Sequence, residues 1–191
     1  MAKAYAVFSA IGADRLGIVD DISGLVSEGG GNIEESKMAV LGSEFAVMML
    51  VSMDAGALGA LTARTGELEA LIARTGELES GLSLRIAFKR TSEGRGSERG
   101  RPYSLETVSL DGNGIVHSVS SVLRKYGINI EDLETRTERA PLTGAPLFRM
   151  KADIVLGPGV AIGALRRELE ELQAAQDLDI LLMPLVPTRR D

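Results

Sequence analysis

The stretch Asp14-Arg15-Leu16-Gly17-Ile18-Val19, followed by Gly31-Asn32-Ile33-Glu34-Glu35, returns later in the same chain. Its second form is Asp111-Gly112-Asn113-Gly114-Ile115-Val116, followed by Ile128-Asn129-Ile130-Glu131-Asp132. A constant offset of 97 aligns residues 14–35 with 111–132 without a gap, and nine positions are identical: Asp14/Asp111, Gly17/Gly114, Ile18/Ile115, Val19/Val116, Ser23/Ser120, Gly30/Gly127, Asn32/Asn129, Ile33/Ile130 and Glu34/Glu131. Self-similarity at a fixed offset marks a repeated structural unit. The chain is two copies of one module.

Outward from this repeat, each copy predicts the same order of elements. Ala4 to Ala10 reads as a short strand. Ile18, Ile22, Leu25 and Val26 then recur at helical spacing, matched in the second copy by Ile115, Val119, Val122 and Leu123. Both helices run into glycine, Gly29-Gly30-Gly31 and Gly127, where a left-handed residue ends a helix at least cost. A strand through Met38–Leu41 turns at Gly42-Ser43 into Phe45–Val51. Its counterpart alternates Phe148, Met150, Ala152 and Ile154 with Arg149, Lys151 and Asp153. Pro158 is expected to open the second helix of copy two, with Leu165, Leu169 and Leu172 as its stripe. Leu82–Phe88 and Leu178–Leu182 close the two modules as strands. The order is βαββαβ twice, an α+β fold of ferredoxin-like modules with antiparallel sheets and helices on one face. Module boundaries fall at 1–90 and 103–188, and the Gly/Ser/Arg/Glu-rich segment 91–102 reads as a flexible linker.

Composition removes whole classes of function. Among 191 residues there is no cysteine and one histidine, His117. That excludes disulfides, thiolate nucleophiles, cysteine-ligated metals and any multi-histidine metal site. A formal net charge of −6 argues against a phosphate-backbone binder, which needs clustered Lys and Arg, so no direct nucleic-acid contact is expected. No run approaches the roughly 18 apolar residues of a spanning helix, and the N-terminus lacks a signal-peptide layout, so a cytoplasmic protein with no membrane contact is expected. No cofactor and no catalytic activity are expected either.

Smaller features are absorbed by structure. His117 reads as a solvated helix residue. Glu34-Glu35 and Glu131-Asp132 are adjacent strand residues pointing to opposite faces, not acid/base pairs. Met48, Met49 and Met53 read as core fillers. The segment Ala63–Glu69 recurs ten residues later as Ala73–Glu79, a local duplication expected to lengthen, kink or loop out the second helix of copy one. The strand Phe45–Val51 is apolar on both faces, which predicts that the sheet's far face is covered by the other module or by another subunit.

The repeated loop before the first helix is the candidate site. Gly17 and Gly114 allow close backbone approach. The helix that follows offers unpaired N–H groups and a positive dipole end able to hold a carboxylate. Asn32 and Asn129 lie at the start of the next strand and offer one acceptor and two donors to a small ligand. The same residues also suit a purely structural role, since glycine and asparagine both serve tight turns.

The motif Asp14–Val19 with Gly31–Glu34 resembles the signature of the ACT domain, a small βαββαβ amino-acid-sensing module. Tandem modules filling residues 4–89 and 103–186, with Pro141–Met150 in the second, resemble the glycine cleavage system transcriptional repressor family. The resemblance implies a regulatory protein that binds a small amino acid such as glycine or serine. It implies ligand contacts at Asp14, Arg15, Leu16, Gly17, Ile18, Asn32 and Ile33, and in copy two at Asp111, Asn113, Gly114, Ile115, Asn129 and Ile130. It also implies a protein partner such as a transcription activator, and a homodimer is expected. Alternatives are a separate regulatory subunit of an amino-acid biosynthetic enzyme, or an interaction module with no ligand. Leu16 stands where the family commonly has proline, and Gly112 and Asn113 replace the usual arginine and proline.

Overall fold

The computed structural model describes residues 3–57, 59, 84–93, 100–110, 112–141 and 143–185. The duplication 63–69/73–79, Leu82 and Ser83, and Asp111 lie outside them. The chain divides into two compact units, Met1–Arg95 and Gly96–Asp191. In the first, β1 (Lys3–Ala13), α1 (Ile18–Glu28), β2 (Asn32–Leu41), β3 (Glu44–Asp54) and β4 (Arg85–Thr91) are described. In the second, β5 (Arg101–Leu110), α2 (Ile115–Lys125), β6 (Asn129–Arg139), β7 (Pro146–Leu156), α3 (Ile162–Gln176) and β8 (Asp179–Pro184) complete the expected βαββαβ order. Thr91 belongs to β4 and Arg101 and Pro102 to β5, so strand structure reaches into both ends of segment 91–102.

Each module builds one four-stranded antiparallel sheet, in the orders β2-β3-β1-β4 and β6-β7-β5-β8. Period-2 alternation decides which face is covered. Ala6, Phe8 and Ala10 of β1 and Phe45, Val47, Met49 and Val51 of β3 point to one face, where they pack with Ile18, Ile22 and Val26 of α1. Phe8 and Phe88 meet edge to face with centroids 5.1 Å apart, tying β1 to β4. The second core repeats the plan: Leu105, Met150, Ala152, Ile154 and Leu182 of the sheet against Val119 and Leu123 of α2 and Leu165 and Leu169 of α3. Lys125 donates to both Glu168 carboxylate oxygens at 2.7 and 2.8 Å, and the Tyr126 hydroxyl donates to one at 3.0 Å, which links α2 to α3.

The glycine stops behave as expected: Gly30 (φ +73°) and Gly127 (φ +65°) are left-handed just past α1 and α2. Pro158 does not open α3. It sits in a turn closed by Val160 N–H donating to Gly157 O (3.1 Å), and the helix starts at Ile162 after Ala161. A proline flanked by two glycines favours that turn over a helical first position. Strict alternation also fails once in each module. The register slips between Ile33 and Glu35 and between Ile130 and Asp132, so Glu34 and Glu131 are bulge residues, and the opposite-face reading of those carboxylate pairs does not apply there.

Candidate functional site

Both copies of the repeat form the same strand-to-helix corner. Gly17 caps α1 at φ +85°, and Gly114 caps α2 at φ +88°. This conformation costs L-residues about 1–2 kcal/mol, which is why glycine stands there. Crowding is not the reason. Among the described residues a Cβ built on either glycine meets nothing within 4 Å, so there is open space beside both.

The two helix ends differ in charge: α1 carries Asp20 and Asp21 in its first turn, and α2 has no acidic residue there. Neither cap residue supplies a side-chain hydrogen bond. Asp21 N–H returns to Gly17 O at 3.0 Å and Ser118 N–H to Gly114 O at 2.9 Å, which closes the first turns. In the first corner Ile18 N–H turns back to Arg15 O at 3.4 Å, and the remaining N–H groups of each first turn have no partner within the helix, at its positive dipole end. An acceptor of negative charge can be held there by backbone alone.

Around the first corner, Asp14 N–H donates to Ser43 O at 2.9 Å and fixes the loop to the β2–β3 turn. Arg15 reaches over the helix start to Asp21 (2.5 Å), so its charge is partly engaged. Leu16 is fully exposed at the loop tip, while Ile18 is buried in the core at 4% exposure. Ile18 can therefore offer a ligand its backbone and not its side chain. In the second corner Asn113 and Gly114 are exposed and Ile115 is buried. His117 is an exposed residue of α2, as its isolation predicts.

Asn32 and Ile33 are not beside this loop. Tyr5, Ser52 and Asn32 share a row at one end of the first sheet, and Ala13, Glu44 and Leu41 share the row at the other. Eight residue steps along β1 separate those rows, about 27 Å. The loop sits at the Ala13 end, because α1 carries the chain back along the sheet before β2 begins. The second module repeats this, with Asn129 in the row of Pro102 and Val155 and the loop beyond the row of Leu110 and Leu147.

At the Asn32 end the structure gathers a cluster that the sequence did not announce. Glu34 accepts from the Ser52 hydroxyl and from Lys3 Nζ at 3.0 Å. Ser52, with Lys3 and Asn32 adding to it, holds the Glu34 carboxyl down to about 2, well below the usual range. Ser52 is 1% exposed, and a hydroxyl within the otherwise apolar run Ala46–Met53 was the only signal available. At the corresponding row the second module has Pro102 and Val155, so this cluster belongs to the first module alone. Among the described residues no group of three or more acidic, His or Cys side chains could hold a metal ion. No helix among them is long and apolar enough to cross a membrane.

Comparison with known proteins agrees with this architecture. An ACT-domain family model matches residues 4–86. The glycine cleavage system transcriptional repressor of Escherichia coli (strain K12) is 34% identical over 141 residues. The match covers 71% of this chain and 66% of that protein, so the chain spans slightly less than two thirds of the relative's length. The crystal structure of an unknown protein from Galdieria sulphuraria superposes with a TM-score of 0.75 at 32% identity, covering 97% of this chain and 100% of that one. A second crystal structure, provisionally assigned as a glycine cleavage system transcriptional repressor, superposes with a TM-score of 0.67 at 22% identity, covering 97% and 99% of the two chains, and supports the fold. With two βαββαβ modules built on one repeated corner, the chain carries an ACT domain over residues 4–86 and is similar to the glycine cleavage system transcriptional repressors.

Proposed function

We propose that the chain is a regulatory protein that binds a small amino acid, glycine or serine, and modulates a transcription regulator of glycine and one-carbon metabolism by protein–protein contact in the cytoplasm. The observation that carries this reading is the uncapped helix start behind a left-handed glycine, present in both modules with open space beside that glycine. The ligand carboxylate would lie on the N–H groups of the first turn, with Asp14, Arg15 and Leu16 around it in module one. Asn113 and Gly114 would play that part in module two. Asn32 and Asn129, at the far end of their own sheets, would reach such a ligand only from a second module laid alongside in the opposite direction. A homodimer supplies that geometry when its two-fold axis is perpendicular to the strands, which reverses their direction. The similarity to transcriptional repressors of the glycine cleavage system supports the choice of ligand and partner class.

Thermal shift and calorimetry against the twenty amino acids test the reading. A ligand at 100 times its Kd stabilises the fold by about 2.7 kcal/mol. Gly17→Asn is the informative variant, because asparagine tolerates the left-handed backbone and its side chain fills the open space. The ligand response of module one should disappear while unfolding without ligand stays near wild type. No response of the wild-type protein to any amino acid refutes the proposal.

A further inference from the structure

The two modules share a fold but not a surface. The core covers one face of each sheet, and the other face of an antiparallel sheet is ordinarily polar. In the second module its centre is: the central strands place Ser104, Glu106 and Val108 opposite Asp153, Lys151 and Arg149, and apolar Leu181 and Met183 lie only on the edge strand β8. Arg149 and Arg136 pair there with Glu138 and Glu134, and these ions line a shallow groove of about 330 Å³. At the equivalent positions the first module places Val7, Ser9 and Ile11 opposite Leu50, Met48 and Ala46. Ile11 is 51% and Met48 60% exposed, so Met48 is not the core filler expected of it, while Met49 and Met53 are buried. The fold therefore does not require this patch to be apolar, and an apolar patch left exposed marks an interaction surface.

The rim of the patch selects the occupant. One row crosses the sheet as Glu35, Leu50, Val7 and Lys89, so a carboxylate on edge strand β2 and an ammonium on edge strand β4 flank the apolar centre. Consider two such faces packed about 10 Å apart, as sheets pack. A two-fold axis along the strands lays β4 of one copy over β2 of the other, which sets Lys89 against Glu35 twice. Lys37 and Arg85 then fall opposite the alanines Ala87 and Ala39 of the second copy. A two-fold axis across the strands instead stacks Arg85 and Lys89 of β4 on the same cations of the other copy. The face is self-complementary in one orientation only.

We infer that the open face of the first module is a homodimer interface, packed sheet on sheet against the same face of a second copy with the two-fold axis along the strands. It goes beyond the preceding reading: an axis along the strands keeps their direction, so this interface is a different one from the pairing that would bring Asn32 to the loop, and it does not depend on the ligand. Sedimentation velocity of the full chain tests it. Wild type should sediment as a dimer, and Met48→Lys, which installs the residue of the equivalent second-module position, should raise the dimer dissociation constant at least tenfold. Lys151→Met on the second module's face should leave it unchanged. Glu35→Lys should weaken the dimer and Glu35→Lys with Lys89→Glu should restore it, a rescue that misfolding cannot produce. A monomeric wild type, an undiminished dimer in Met48→Lys, or no rescue in the charge swap overturns the interface. Calorimetry with glycine and serine on the same samples separates the two claims. A wild-type monomer that binds amino acid removes only the interface, and a dimer split by Met48→Lys that never responds to amino acids removes only the ligand.

Discussion

One substitution, glycine to alanine, should have opposite signs at positions seven residues apart in the first module, and the backbone decides which. At Gly17 the added methyl meets nothing within 4 Å, but φ is +85°, where alanine costs about 1–2 kcal/mol. At Gly24, inside α1, the methyl also meets nothing, and the backbone is helical. Alanine there should stabilise by roughly 0.5–1 kcal/mol through the lost freedom of the unfolded chain. Gly31 completes the series by a third mechanism. Its Cβ would stand 2.9 Å from Val26 Cγ1, 3.0 Å from Val26 O and 3.0 Å from Val51 Cγ1, where helix and strand meet. Overpacking of that kind costs about 1–3 kcal/mol. For a module of this size each kcal/mol moves Tm by about 4–8 °C. Urea titrations followed by circular dichroism, read as midpoint shifts at constant slope, report all three. Gly17→Ala and Gly31→Ala should unfold earlier and Gly24→Ala later. If Gly17→Ala unfolds no earlier than wild type, the left-handed cap is not a constraint, and the account of why glycine recurs at 17 and 114 fails.

Two further outcomes follow from burial and charge. Glu34 has a folded-state pKa below its unfolded value, so its stabilisation is present above about 4.5 and is lost as pH falls toward about 2. The stability advantage of wild type over Glu34→Gln at neutral pH should therefore vanish in acid titrations by about pH 2, and an undiminished advantage there refutes the assignment. Leu165 is fully buried between α3 and the second sheet, so Leu165→Ala should cost about 2–5 kcal/mol in a denaturant titration. A loss under 1 kcal/mol would mean that α3 is not anchored through this stripe.

The fold was legible because two independent signals agreed. The repeat at offset 97 aligned the strand-to-helix corners, and the apolar periods within each copy fixed which faces they buried: Ile18, Ile22 and Val26 in one, Ile115, Val119, Val122 and Leu123 in the other. The offset fails later for a physical reason. The first module turns from β2 to β3 through Gly42-Ser43, while the second needs the longer Ala140–Ala145 connection, so Met48 corresponds to Lys151 and the offset becomes 103. Pro158 misled because proline serves turns as well as helix starts, and only its flanking glycines separate the two. The bulges at Glu34 and Glu131 were illegible because no local residue announces an inserted strand position.

The site was legible in part, and the part that was not follows from geometry. In the sequence Gly17 and Asn32 belong to one motif, and both recur at identical spacing in the second copy. Spacing along a chain is not distance, however, when a helix lies between. An antiparallel return over eleven residues of α1 takes the backbone from one end of the sheet to the other, and β2 then starts where β1 started. Residues that descend together can thus stand at opposite ends of their own module. A motif of this shape gathers around one ligand only when a second copy brings its far end to the first copy's near end. The repeated motif therefore argues for association more strongly than for any pocket within one module, and the exposed apolar face of the first sheet argues for association independently, through a different surface.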